Sequence, residues 1–338
     1  MVRVFVNGFG TIGRRIADAV FRDPEMTLIG VSKYRVQGDP PLLYNLFVPE
    51  ESLEAFKQAG YNVAGTVREA VEMSDIVVDA SKDGKGVDNL NNLYDPADKP
   101  AILQGGEDKV DSLPLHNSRC NYDDVRGERY VQQGSCNVTG IGRIVQPLLD
   151  EFGDGIDRFD VQLIRRVADL EDEKEVKDSI EWDPNPHHAD DVMRFLGTYV
   201  YVEAVKVPSR MMHFHSLAVR FSGEAPKVEE ALALYEHEFG VAVLYTAKGT
   251  ADVRTKAQEL GFPFGDTGMV HIHANVVRSV GDILKIPYSD DQTGIVVPEN
   301  HMLVQAMMLD RDREEALRKT DEILGITERK KRLEAQFA

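Results

Sequence analysis

The chain has 338 residues, 42% hydrophobic and 28% charged, the balance of a globular protein with room for about two domains. It holds no run of about 18 apolar residues to span a membrane and opens on no secretory leader, and its two cysteines, Cys120 and Cys136, cannot build a disulfide framework, so a reducing cytoplasm is the expected setting. The net charge of −18 opposes nucleic-acid binding, fits either a salt-adapted or an ordinarily acidic surface, and leaves any anionic ligand to local groups.

In chain order, RVFVNGFG reads as a strand buried on both faces, because its apolar run is nearly continuous. TIGRRIADAVFRD follows with Ile12, Ile16, Ala19 and Val20 at helical spacing, and Met26–Ser32 reads as a second strand. Ser74–Ser81 and Ala101–Gly106 read as further buried strands, with helical stretches ESLEAFKQAG and TVREAVEMS before them. Strands alternating with helices predict a parallel, doubly wound sheet. The pattern changes near Tyr130. A helix is expected from about Thr139, then a strand in DVQLIRRVADL and a charged loop or helix face over Asp169–Asp178. YVYVEAVKV, HFHSLAVRF, VHIHANVVR and DILKIPY alternate apolar with polar residues, the mark of an antiparallel sheet with one open face. Glu229–Phe239 and Asp252–Gly261 read as helices covering the other face, and helices end the chain.

Gly8-Phe9-Gly10-Thr11-Ile12-Gly13 matches G-x-G-x-x-G between a strand and a helix, the context that a dinucleotide site requires. The first glycine permits the turn, the second admits the pyrophosphate and the third lets helix and strand pack closely. The phosphates would sit on the helix N-terminus. The acidic residue expected about 20 residues later is missing. Ser32, Lys33, Tyr34 and Arg35 stand there instead. Cations at that place favour a 2′-phosphate, so NADP is expected to be accepted or preferred.

Cys136, in Gly134-Ser135-Cys136-Asn137-Val138-Thr139-Gly140, precedes the helical stretch. A thiol at a helix N-terminus feels the positive dipole end, which favours thiolate. Cys120 has no such setting and reads as structural. His187-His188 sits in a loop sequence, and His213 with His215, like His271 with His273, shares one strand face. No Cys or carboxylate spacing supports a zinc site, so no metal is expected. Arg165-Arg166 within an apolar strand calls for an anionic partner, such as a phosphate.

VFVNGFGTIGRRIADAV, ILQGGE, SCNVTG, LIRRVAD, PHHADDV, MMHFH and VVPEN together resemble the archaeal-type (class II) glyceraldehyde-3-phosphate dehydrogenases, in order and over essentially the whole chain. The resemblance implies an N-terminal Rossmann dinucleotide-binding domain (1–135) and an α+β catalytic domain with a largely antiparallel sheet (136–298). It also implies C-terminal helices (299–338) that return to the first domain. It implies a cytoplasmic homotetramer using NAD or NADP, a phosphorylated aldehyde and inorganic phosphate. Cys136 matches the nucleophile and His213 the general base. Ser135, Asn137, His187 and His188 match substrate positions, and Arg166 one near both substrate and cofactor. Thr11, Ile12, Gly106, Gln292 and Asn300 join Gly8, Gly10, Gly13 and Lys33 on the cofactor side.

Three segments depart from the family pattern beside its anion sites. Val138 replaces a threonine, Ser209-Arg210-Met211 precedes Met212-His213 in place of two threonines and a leucine, and in Pro186-His187-His188-Ala189-Asp190-Asp191 the residue Asp190 adds a negative charge after the tandem histidines. The alternatives on the same architecture are a different sugar-phosphate aldehyde or aspartate semialdehyde as substrate. A binding protein without activity has no use for both Cys136 and His213.

Overall fold

Strand β1 (Val2–Asn7) carries apolar side chains on both faces. Val4 and Val6 enter one core with Ile16 and Val78, and Phe5 enters another with Phe47 and Val77. Side chains alternate across a strand, so two apolar faces require cover on both sides. The structure, a computed structural model, describes residues 1–37, 40, 43–82, 84–104, 112–168 and 175–338. After β1 come α1 (Thr11–Arg22), β2 (Met26–Ser32), β3 (Leu46–Val48), α2 (Leu53–Gln58), β4 (Val63–Thr66), α3 (Val67–Met73), β5 (Ile76–Asp79), α4 (Gly86–Asn89), β6 (Ala101–Gln104), β7 (Leu115–His116) and β8 (Tyr130–Gln133). They build one sheet in the order β4-β3-β2-β1-β5-β6-β8-β7. Every neighbouring pair in it is parallel. This is the expected Rossmann-like sheet, with β3, β4 and β7 added. Those strands have three, four and two residues, too few to show a period. The strand order reverses between β1 and β5, which puts a crevice at their carboxyl ends, where such sheets bind ligands.

The second half begins with α5 (Cys136–Phe152), β9 (Ile156–Arg166), β10 (Glu181–Asp183), α6 (His188–Leu196), β11 (Val200–Val207) and β12 (His213–Phe221). It continues through α7 (Val228–Ala233), β13 (Val241–Leu244), α8 (Thr250–Glu259), β14 (Val270–His273), β15 (Arg278–Val280) and β16 (Ile283–Asp290) to α9 (Val296–Met308), α10 (Arg313–Leu324) and α11 (Ile326–Glu334). The second sheet runs β10-β11-β9-β12-β16-β14-β13, with β15 beside β16. The β11–β9 and β13–β14 pairs are parallel, and the others are antiparallel. The sheet is therefore mixed, and largely antiparallel as expected. Most of the charge run expected as a loop, residues 169–174, lies outside the described residues.

Residues 1–135 with 296–324 form one compact unit, and 136–295 with 325–338 form the other. Within the first, α9 adds Met302, Leu303 and Ala306 to the core that holds Val4. The end of the chain differs from the expectation that all of 299–338 joins the dinucleotide domain, because α11 belongs to the second unit. There Lys330 Nζ donates to the carbonyls of Tyr235, Glu236 and Glu238, and the Phe337 carbonyl accepts from the Tyr245 and Thr246 N–H groups. A helix follows the partners that bury its apolar stripe, and neighbouring helices in sequence need not share them. Among the described residues no helix is long and apolar enough to cross a membrane.

Candidate active site

The glycine turn after β1 is shaped by close backbone approach. Gly8 has φ +125°, and a Cβ there would stand 2.4 Å from the Ala80 carbonyl oxygen. A Cβ on Gly13 would stand 2.1 Å from the Gly8 carbonyl oxygen, whereas one on Gly10 would meet nothing within 4 Å. Gly10 is also the N-cap of α1, has no side-chain cap, and precedes a first turn without acidic residues. Thr11 and Ile12 open that turn. A helix start without a side-chain cap, with open space at Gly10, fits a pyrophosphate. Gly13→Ala is therefore expected to lower the thermal midpoint, at a cost of about 1–3 kcal/mol for forced overlap. Gly10→Ala should leave the midpoint in place and weaken NAD(P) binding. Thermal melts paired with cofactor titrations check both, and equal destabilisation by the two variants would refute the distinction.

At the end of β2 the place of the usual ribose-binding carboxylate is taken by Ser32, whose hydroxyl donates to Asn7 Oδ1 at 2.6 Å. The Lys33 ammonium lies 5.9 Å from the centre of the Tyr61 ring. Asp79, at the end of β5, accepts from the Tyr94 hydroxyl at 2.5 Å and from Asn89 Nδ2 at 2.8 Å. Asn300 is buried on α9. Its Nδ2 donates to Gln104 Oε1 and to the Val296 carbonyl, and its Oδ1 has no hydrogen-bond partner among the described residues. Gln292 belongs to the second unit, in the turn after β16. Gly106 lies outside the described residues.

The remaining site residues of the second unit converge on the start of α5. This helix begins at Cys136 itself, three residues before the expected start, so the half-buried thiol stands in the first turn at the positive dipole end. Ser135 directly precedes it. The thiol sulfur, an imidazole nitrogen of His213 and a carboxylate oxygen of Asp290 lie within 4.8 Å of one another. Cross-strand register makes this possible, because His213 on β12 pairs directly with Asp290 on β16. Gly140 helps too: a Cβ there would stand 3.3 Å from Asp290 Oδ2, so its small size lets the helix start close over the carboxylate.

His213 accepts a hydrogen bond at Nδ1 from the Arg166 backbone N–H, 3.1 Å away. Burial pushes its pKa down to about 3. His215 lies beside it, ring centroids 5.7 Å apart, and its Nε2 is 2.9 Å from Asp290 Oδ2. Arg165 turns its guanidinium to Asp183 at 3.0 Å, leaving Arg166 as the member of the pair whose backbone holds His213.

The tandem histidines stand at a helix start, not in the expected loop: His187 is the N-cap of α6 and His188 its first residue. Their rings stack at 4.3 Å. His187 Nδ1 lies 2.7 Å from Asp191 Oδ2, and that hydrogen bond raises its pKa. His188 is buried, which holds its pKa well below the usual value, and its Nε2 lies 3.2 Å from Asn137 Nδ2. One imidazole is thus biased toward charge and its neighbour toward neutrality, joined to the residue after Cys136. The sequence reading missed Asp290. Only its adjacency to His213 marks it, and that adjacency is a matter of strand pairing.

No protein-family model matches the chain. Curated relatives do. A glyceraldehyde-3-phosphate dehydrogenase of Pyrobaculum arsenaticum is 36% identical over 340 residues, covering 96% of this chain and 98% of the relative. One from Archaeoglobus fulgidus is 36% identical over 342 residues, with the same coverage. One from Sulfolobus acidocaldarius is 34% identical over 341 residues, covering 96% of this chain and 97% of the relative.

The chain belongs to the archaeal-type glyceraldehyde-3-phosphate dehydrogenase family.

Two of the departures from the family pattern have clear positions. Val138 is fully buried in the first turn of α5, and Asp190 is exposed on α6. Arg210 lies between β11 and β12, just before His213.

Proposed function

We propose that the protein catalyses the NAD(P)-dependent, phosphorylating oxidation of glyceraldehyde 3-phosphate to 1,3-bisphosphoglycerate. The observation that carries this reading is the meeting of Cys136, at a helix N-terminus, with His213 in a member of this family. The thiolate of Cys136 attacks the aldehyde carbon to give a hemithioacetal. His213 takes the hydroxyl proton as the carbon is oxidised. A bound nicotinamide supplies the acceptor for the hydride that the carbon gives up, which leaves a thioester on Cys136. Inorganic phosphate then attacks the thioester carbonyl and releases Cys136 and the acyl phosphate. Asn137, His187, His188 and Arg166 are the proposed holders of substrate and phosphate, with Ser135 beside the thiol. Gly8, Gly10, Thr11, Ile12, Gly13, Lys33, Gly106, Arg166, Gln292 and Asn300 are the proposed cofactor positions. A cytoplasmic homotetramer is part of the same proposal, and light scattering should return a tetramer mass.

The test is reduction of NAD and NADP, followed at 340 nm with glyceraldehyde 3-phosphate, with and without inorganic phosphate or arsenate. Reduction that depends on phosphate supports the reading. Reduction that ignores phosphate points to a thioester hydrolysed by water. No reduction with cofactor still bound means a different aldehyde. In the same assay Lys33→Glu should weaken NADP by roughly tenfold or more while changing NAD by less than threefold, because it replaces an attractive charge near a 2′-phosphate by a repulsive one. Equal loss of both cofactors would remove Lys33 as the reader of that phosphate.

A further inference from the structure

His213 takes its proton in a place where burial opposes any charge on the ring and pushes its pKa down to about 3. A base that weak holds a proton only while something stabilises the imidazolium. Among the charged groups that act most strongly on the ring, His215, Arg165 and Arg166 oppose the charge, and Asp290 favours it. Asp290 stands directly opposite His213 in the register of β12 with β16. One of its carboxylate oxygens lies within 4.8 Å of a ring nitrogen of His213 and of the Cys136 sulfur.

The carboxylate is anchored at one oxygen and bare at the other. It is fully buried at the end of β16. Its Oδ2 lies 2.9 Å from His215 Nε2, and its Oδ1 has no hydrogen-bond partner among the described residues. Burying a carboxylate is costly unless its oxygens are bonded, so a bare oxygen on a buried carboxylate beside the reacting groups calls for a role. The ionisable groups around Asp290 and His213 are His215 on β12, His271 on β14, Arg165 and Arg166 on β9, Tyr288 on β16, and Cys136 on α5. Burial works to raise the Asp290 pKa, but the hydrogen bond and charge of His215 outweigh it and hold the carboxyl below its ordinary value. The group is therefore an anion near neutral pH.

We propose that Asp290 is a positioning residue of the active centre: anchored by His215, its negative charge stabilises the imidazolium that His213 becomes on taking the substrate proton. This rests on the reading above, in which Cys136 carries the hemithioacetal and His213 is the base. As the hydride leaves for the oxidised nicotinamide, the hydroxyl O–H bond breaks. Its electron pair closes the thioester carbonyl, and the proton passes to His213. It stays there, opposite the carboxylate, until solvent takes it, which balances the one proton that the oxidation liberates. An opposite charge within about 4–6 Å favours the charged form of a titratable group by about 1–3 pK units. Asp290 thus gives His213 back part of the basicity that burial removes. The same anion opposes a thiolate on Cys136, so its charge acts with opposite sign on the two reacting groups.

The test compares the full-length wild type with Asp290→Asn, which keeps the shape and removes the charge. At saturating glyceraldehyde 3-phosphate, the first turnover followed at 340 nm should slow about tenfold or more, because the base is weaker by one or more pK units. Alkylation of Cys136 by iodoacetamide should move to lower pH by about one unit, because a neighbouring anion no longer opposes the thiolate. A thiol that is more reactive in an enzyme that is slower is a pairing that a merely structural defect does not produce. In a His213→Ala background the same change should cost less than threefold, since a residue that acts through His213 has nothing left to act on. An unchanged first turnover overturns the proposal, and so does a full tenfold loss in the His213→Ala background. Should Asp290→Asn fail to fold, His215→Gln and His215→Ala decide. Gln keeps an N–H to anchor Asp290 and should be at least about fivefold more active than Ala, and equal activities overturn the anchored anion. If the wild type shows no reduction with this aldehyde, the functional reading fails. The alkylation profile then still judges Asp290, since an unshifted profile shows that its charge does not act at the site.

Discussion

Cys136→Ser is expected to lower turnover at least about 10³-fold, the scale on which loss of a nucleophile is felt, and to leave NAD(P) binding intact. The thiol begins α5, whose first-turn N–H groups and dipole favour an anion there. Serine fits the same space, but its hydroxyl keeps its proton far above neutral pH, so the helix terminus has no thiolate to stabilise. Cys136 is only half-buried, and the buried side of the helix begins with Asn137, Val138 and Thr139. Folding should therefore survive. The check is the 340 nm assay beside a cofactor titration. Unchanged turnover would remove Cys136 as the nucleophile, and loss of cofactor binding would show that the variant acts through structure.

His213→Ala is expected to slow turnover by about 10²–10⁴-fold, the usual contribution of a general base, and to raise the apparent pKa of the Cys136 thiol. The sign follows from the surroundings. The Asp290 anion and the His213 nitrogen both lie within 4.8 Å of the sulfur and of each other. Removing the imidazole leaves the anion, which opposes thiolate. The pH dependence of iodoacetamide alkylation reads the shift directly. His215 is the internal control: its ring lies 5.7 Å from that of His213, and it is tied to Asp290. If His215→Ala raises the thiol pKa and His213→Ala does not, the two histidines have exchanged roles.

Local pattern made much of the fold legible. The strand–glycine turn–helix opening is readable because Gly8 and Gly13 answer steric needs and Gly10 leaves open space between them, all within six residues. The long strands β9, β11, β12 and β16 are readable because eight or more residues suffice to show alternation. Helix α5 starts ahead of the position that the sequence pattern predicts, because Cys136, Asn137 and Val138 are poor helix formers by themselves. They are held in the first turn by contacts such as that of Asn137 with His188. The same holds for α6, whose opening Pro-His-His-Ala-Asp reads as a loop until the hydrogen bond from His187 to Asp191 is seen.

The sequence by itself determined the Rossmann-like sheet, the glycine turn, the family and Cys136 as the residue to test, since each is carried by neighbours in the chain or by motifs in order. Only the tertiary structure decided that α11 packs in the second unit, that Arg166 acts on His213 through its backbone, and that Asp290 stands beside the thiol. Cys136 and Asp290 are far apart in sequence, and nothing local couples them. Register between β12 and β16 brings His213 opposite Asp290, and a slip of one residue would send the carboxylate to the other face of the sheet.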